Sequence, residues 1–161
     1  MIAVSFKLQQ AFQQCLDFDP LSGSTSALLK LIASLEFQPP DNWRTMDRDG
    51  WLHLLLAEFI EPWLSDQPTI LYDYPASQAA LAVIRQDDPP VAERFELYVN
   101  GVELANGYHE LLDAGELRRR NEEANQLRIQ DGRPGLPVES QLLEAMQSGM
   151  ADCSGVALGV D

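Results

Sequence analysis

Between Glu93 and Asp113 the sequence ERFELYVNGVELANGYHELLD sets five carboxylates into a stretch that otherwise has the pattern of a β-hairpin. Asn100-Gly101 separates the apolar runs FELYV and VELA, and Asn-Gly in that setting is the strongest short-range sign of a two-residue hairpin turn. Pairing Val99 with Val102 sets Tyr98 opposite Glu103 and Glu96 opposite Ala105. Glu96 and Glu103 then become diagonal neighbours on one face. Like charges that close repel, so the arrangement suits a cation held between them. Oxygen-only ligands on a strand pair fit Mg²⁺, which keeps several waters and bridges to phosphate groups. The competing reading is a solvated face that is merely acidic, and spacing alone does not separate the two.

The elements that must hold this hairpin are legible on either side of it. Val4 to Leu16 has apolar residues near helical spacing at Phe6, Leu8, Ala11, Phe12 and Cys15. Ser26 is placed to cap a second helix over 27–36, and Gln38–Asn42, with Pro39-Pro40, reads as a linker. Asp47 to Leu64 reads as a third helix that Pro62 must end or kink. Thr69–Tyr74 is strand-like and closes at Pro75. After the hairpin, 114–129 reads as an exposed helix with Leu117 and Leu127 turned inward. Its Arg118-Arg119-Arg120 run could meet phosphate, although a solvated helix face explains it as well. A Gly/Pro loop over 131–137, a short helix over 139–148 and a small-residue strand over 154–160 complete the chain. Residues 1–68 thus form a helical segment and 69–161 a sheet-bearing half. The expected class is α+β, an antiparallel sheet flanked by helices.

Composition excludes several functions. The chain has 161 residues, enough for one domain with a core, and its 45% hydrophobic content is that of a globular protein. Its 25 acidic against 11 basic residues give a net charge of −14, which repels nucleic acid and anionic membranes. No apolar run approaches the roughly 18 residues that span a bilayer, and MIAVSFKLQQ lacks the features of a secretory leader. Cys15 and Cys153 stand apart, without a CxxC, which fits a reducing, cytoplasmic setting. With only His53 and His109 beside them, no familiar zinc spacing exists.

Five segments, taken in order, resemble one family. They are SFKLQQAFQQCLDFDPLS, YDYPASQAALA at 72–82, ERFELYVNGVELANGYHELLDA, the loop and helix over 132–149, and DCSGVALGVD at the end. Together they are similar to the catalytic domain of class II lysyl-tRNA synthetases. Within that family they resemble the branch that ligates β-lysine onto elongation factor P, because Pro75-Ala76-Ser77-Gln78 with Leu81-Ala82 departs from the Ser-Pro-Leu-Ala type of true synthetases.

The resemblance implies an ATP- and Mg²⁺-dependent ligase that adenylates lysine or (R)-β-lysine. The acceptor would be a lysine of elongation factor P, with lysine transfer RNA as the alternative acceptor and a homodimer as the working form. By the same resemblance, Glu96 and Glu103 hold Mg²⁺, while Glu103, Leu104 and Gly159 border ATP. Asn106 meets the α-groups of the amino acid, the Tyr108 ring packs on its aliphatic stem, and Glu110 pairs with its side-chain ammonium. On residue type alone, Tyr108 is ordinary strand packing and Glu110 a surface charge. Parity poses a difficulty, since Glu103 and Glu110 are seven residues apart and an unbroken strand sends them to opposite faces. A bulge at Asn106-Gly107 is the expected remedy.

The family's catalytic arginines match no residue here; one belongs before Met1 and one after Asp161. The expectation is therefore a fragment of a longer ligase, without general base or nucleophile and inactive alone in amino-acid-dependent pyrophosphate exchange. Ala157 stands where synthetases often carry Gly, which narrows the room for adenine. A non-catalytic, synthetase-like binding module remains a third reading.

Overall fold

The computed structural model describes residues 3–41 and 43–160; Asn42, at the end of the expected linker, and Asp161 lie outside the described residues. Six strands, β1 (Val4–Lys7), β2 (Thr69–Pro75), β3 (Ile84–Arg85), β4 (Val91–Val99), β5 (Val102–His109) and β6 (Ser154–Leu158), form one sheet. Its order is β1-β2-β4-β5-β6, with β3 also paired to β4, and only the β1–β2 pair is parallel. The helices are α1 (Leu8–Leu16), α2 (Thr25–Ser34), α3 (Arg48–Leu55), the short α4 (Glu61–Trp63), α5 (Ala114–Gln130) and α6 (Gln141–Ser148). The hairpin β4–β5 is interior, as its apolar content requires.

Three local expectations need correction. Residues 4–7 are a strand, not the first turn of a helix, because Val4, Ser5, Phe6 and Lys7 pair with Thr69 to Tyr72. Their alternation of apolar and polar side chains has the strand period of two. The second helix starts earlier than expected, with Ser24 rather than Ser26 as its cap; the Ser24 hydroxyl accepts from the amide of Ala27 at 3.2 Å. Leu127 is 56% exposed, so only Leu117 of the expected pair on α5 turns inward. The third helix changes character where Pro62 demands it. Proline donates no amide and its ring collides with the carbonyl four residues earlier. The chain widens into a π turn over Leu56–Ile60 and resumes as α4, with Pro62 in its first turn.

The main core lies between α1–α3 and one face of the sheet. Leu8, Phe12, Leu28, Leu55, Ile60, Leu71, Tyr74 and Tyr98 are almost fully buried there, each fully buried large side chain contributing about 1.5–3 kcal/mol. A smaller cluster of Leu111, Leu117, Leu143 and Met146 seats α5 and α6 beside the end of β5. Asp113 caps α5 by accepting from the amides of Gly115 and Glu116.

The hairpin turn has φ of 54° at Asn100 and 75° at Gly101, the left-handed pair of a type I′ turn. A Cβ on Gly101 would stand 2.9 Å from the Glu61 carbonyl oxygen, so the tip leans on α4. Gly132 shares the backbone conformation, with φ of 73°, but has nothing within 4 Å. Gly101→Ala is therefore expected to cost about 1–3 kcal/mol in urea unfolding, clearly more than Gly132→Ala. Equal losses would mean that only turn strain matters and that the contact with α4 is without energetic weight.

Candidate functional site

Strand β4 alternates Arg94, Glu96 and Tyr98 on the face that carries the core. The register across the hairpin sets Tyr98 opposite Glu103, Leu97 opposite Ala105, Glu96 opposite Asn106 and Arg94 opposite Tyr108. Two residues of β5 advance while one of β4 does, so Leu104 is an inserted, bulged residue. The irregularity thus falls at Leu104 and not at Asn106-Gly107, and Glu96 faces Asn106 and not Ala105. The bulge resolves the parity conflict. It shifts the phase once, so that Glu103, Asn106, Tyr108 and Glu110 all follow Glu96 onto one face. The Asn106 amide accordingly reaches back to donate to Glu103 at 3.1 Å.

A second irregularity supplies a residue that sequence reasoning missed. Asp73 has φ of 57° and interrupts the β2–β4 register between Tyr72 and Tyr74. This turns Tyr74 to the side of Glu96, and its hydroxyl donates to Glu96 Oε2 at 2.6 Å. Tyr98 donates to the same oxygen at 2.5 Å, and Arg94 pairs with Oε1. Glu96 is only 4% exposed, so these donors replace the water that an ionised carboxylate needs. Burial first, and the Glu96 charge second, push Tyr74 well above an ordinary phenol. Tyr98 is also raised, by burial and by its hydrogen bond to Glu96. Burial would lower Arg94, but Glu96 outweighs it and holds the guanidinium above its usual value. The guanidinium lies 4.7 Å from the Tyr74 ring centroid and 5.9 Å from that of Tyr108. The spacing of Arg94, Glu96 and Tyr98 is readable as one strand face; the contribution of Tyr74 depends on Asp73 and is not.

Glu103 is exposed and near the hairpin tip. Glu61 of α4 completes an acidic corner there: its pKa is raised by burial and then by the charges of Glu96 and Glu103. Among the described residues no group of three His, Cys, Asp or Glu side chains is arranged to hold a metal ion. A cation here would rest on two carboxylates and on groups brought by a ligand. At the same end of the ladder the Gly159 amide donates to the Leu104 carbonyl at 2.9 Å, which brings Glu103, Leu104 and Gly159 together.

At the other end, Glu110 follows the last residue of β5 and is held by its backbone between two segments. Its amide donates to the Cys153 carbonyl at 3.0 Å, and it bridges to Ala82. Among the described residues no hydrogen-bonding or ion-pair partner meets its carboxylate, in contrast to Glu96 and Glu103.

The opposite face carries a separate charged network. Asp73 pairs with Lys7 at 3.2 Å and Arg85 at 2.9 Å, and Arg85 also meets Asp87 and Glu93. His109 joins Glu93 to Asp152, with 2.7 Å between Nε2 and the Asp152 carboxylate. The hydrogen bonds to Glu93 and then Asp152 raise the His109 pKa above 6.5. A raised value stabilises the fold fully below about pH 6.5 and loses that contribution as pH climbs through the folded-state pKa. The melting-temperature difference between the unmodified chain and His109→Gln is therefore expected to be larger near pH 6 than near pH 9. A difference independent of pH would remove the ionic role of His109. The arginine run on α5 is fully engaged: Arg118 with Glu139, Arg119 with Glu116 and Glu123, Arg120 with Glu116 and the carbonyls of Ala80 and Ala82. Arg119 and Arg120 pull Glu116 down to about 2.

The model of tRNA synthetases class II (D, K and N) matches residues 29–161. The elongation factor P--(R)-beta-lysine ligase of Klebsiella pneumoniae (strain 342) is 48% identical over 160 residues, 99% of this chain and 49% of that protein. The protein of the same name from Salmonella gallinarum (strain 287/91 / NCTC 13346) is likewise 48% identical, with the same coverage. The chain spans about half the length of the curated relatives it matches. A sheet mostly antiparallel around an acidic hairpin, flanked by helices and matched over most of its length, places the chain in a family: it belongs to the class II tRNA synthetases of the D, K and N group.

Proposed function

We propose that this chain works within an ATP-dependent ligase that adenylates lysine or (R)-β-lysine and passes the acyl group to a lysine of elongation factor P. The observation that carries this reading is Glu110. Its carboxylate is half-buried on the site face and unpaired among the described residues, as an acceptor for a substrate ammonium must be. The names of the relatives, at 48% identity, support the substrate and acceptor. In this proposal Tyr108 packs on the aliphatic stem, Asn106 orients the α-groups, and Leu104 with Gly159 borders the nucleotide.

The donor chemistry fits Mg²⁺. Glu96 keeps one lone pair on Oε1 beyond its three protein donors, Glu103 has one oxygen without a described partner, and both are hard oxygen ligands. Held by Glu96 and Glu103, such an ion would neutralise phosphate charge. The chain's own residues orient the amino acid and hold its ammonium, so they act by positioning and electrostatics. A second copy as dimer partner and a cytoplasmic setting, with both cysteines free, belong to the same proposal.

The family's description as tRNA synthetases favours a second reading, transfer to lysine transfer RNA. Intact mass spectrometry separates the two. The whole protein, incubated with ATP, Mg²⁺, (R)-β-lysine and elongation factor P, is expected to add one β-lysyl group to the factor. Charging of lysine transfer RNA with no change in the mass of the factor would favour the second reading instead.

A further inference from the structure

In strand β6, Gly155 lies opposite Tyr108 in the β5–β6 ladder. Glu110 is two residues beyond Tyr108 on the same face, so its side chain slants across β6 toward that position. A Cβ on Gly155 would stand 2.3 Å from Glu110 Oε1, 3.4 Å from its Cδ and 3.9 Å from its Cγ. The carboxylate therefore occupies the space that any side chain at 155 would need. We propose that Gly155 is a positioning residue for Glu110: the bare backbone of β6 is the seat that fixes where the ammonium acceptor stands, and hence which side-chain length the pocket accepts. This rests on the reading of Glu110 given above.

Two features decide what yields when a methyl is added. The backbone of Gly155 is itself wedged against β5, since a Cβ on Gly107 would meet the Gly155 carbonyl oxygen at 2.7 Å and the Phe95 ring at 2.5 Å. The five paired positions of the ladder hold β6 in that place. Glu110, by contrast, is a flexible side chain whose tip alone is in conflict, and no described partner anchors its carboxylate. The carboxylate moves and the strand stays. Gly155→Ala is thus expected to fold, while its ammonium acceptor is displaced off β6.

The test has two arms. In the whole protein, Gly155→Ala should raise KM for lysine and (R)-β-lysine by about 10–100-fold, the scale of one charge-assisted hydrogen bond, with kcat changed much less. The ratio of ornithine to lysine activation should shift, and an uncharged analogue of lysine length should change by less than about threefold. Glu110→Asp withdraws the carboxylate by one methylene; in that background Gly155→Ala should add less than about threefold, because the clash is gone. Additive losses in the two backgrounds, or equal losses with charged and uncharged substrates, would overturn the proposal. The second arm is a crystal structure of the 161-residue Gly155→Ala chain. Glu110 swung away from β6 with the 154–158 register kept is the expected result; an unmoved carboxylate with a displaced strand is the contrary one. If the unmodified whole protein activated no amino acid, the proposed function would fail, and this structural arm would still decide the role of Gly155.

Discussion

Glu110→Gln, in the whole protein, is expected to lower kcat/KM for lysine-type substrates by about two to three orders of magnitude. Glutamine keeps the shape and the hydrogen-bonding capacity but removes the charge. Leaving one member of a desolvated ion pair unmatched typically costs about 3–5 kcal/mol, and each 1.4 kcal/mol is a factor of about ten. An uncharged analogue of the same length should lose far less. Glu103→Gln supplies the contrast. It lies at the hairpin-tip end of the ladder beside Leu104 and Gly159, the end proposed above for the nucleotide, so it should weaken charged and uncharged substrates alike. Equal sensitivity of both substrate classes to both substitutions would withdraw the assignment of residues 106–110 to the amino acid.

Arg94→Ala is expected to destabilise the chain itself by about 3–5 kcal/mol in chemical unfolding. The substitution leaves Glu96, 4% exposed, with two phenols and no countercharge. Breaking a buried pair from one side costs on that scale, a large share of the roughly 5–15 kcal/mol that holds a domain folded. The same change removes the guanidinium that lies over Tyr74 and Tyr108. Pairing the change with Glu96→Leu should recover part of the loss, because no unmatched charge then remains. A loss below about 1 kcal/mol for Arg94→Ala would show that water reaches Glu96 and that the three-donor cage is not what holds it.

The hairpin was readable because its signals are local. Asn100-Gly101 allows a turn of the right hand, and the flanking apolar runs fix which residues meet across it. Glu96 and Glu103 fall on one face for that reason alone. The need for a bulge was also readable, from the odd spacing of Glu103 and Glu110. Its position was not: glycine invites an irregular backbone at Gly107, yet the inserted residue is Leu104, whose carbonyl is taken by Gly159 some fifty-five residues later. Long-range pairing decided it. Strand β1 escaped for a related reason, since four residues gain a strand only when β2 lies beside them. Tyr74 and Glu61 join the site through an αL residue at Asp73 and a π turn before Pro62, and neither is visible as hydrophobic periodicity.

The most direct test of the account is amino-acid-dependent pyrophosphate exchange by the whole protein, measured with lysine, (R)-β-lysine and an uncharged analogue of equal length. Exchange that requires ATP and Mg²⁺ and strongly favours the ammonium-bearing amino acids is the predicted result. Exchange that proceeds equally well with the uncharged analogue, or with neither lysine nor (R)-β-lysine, would contradict it.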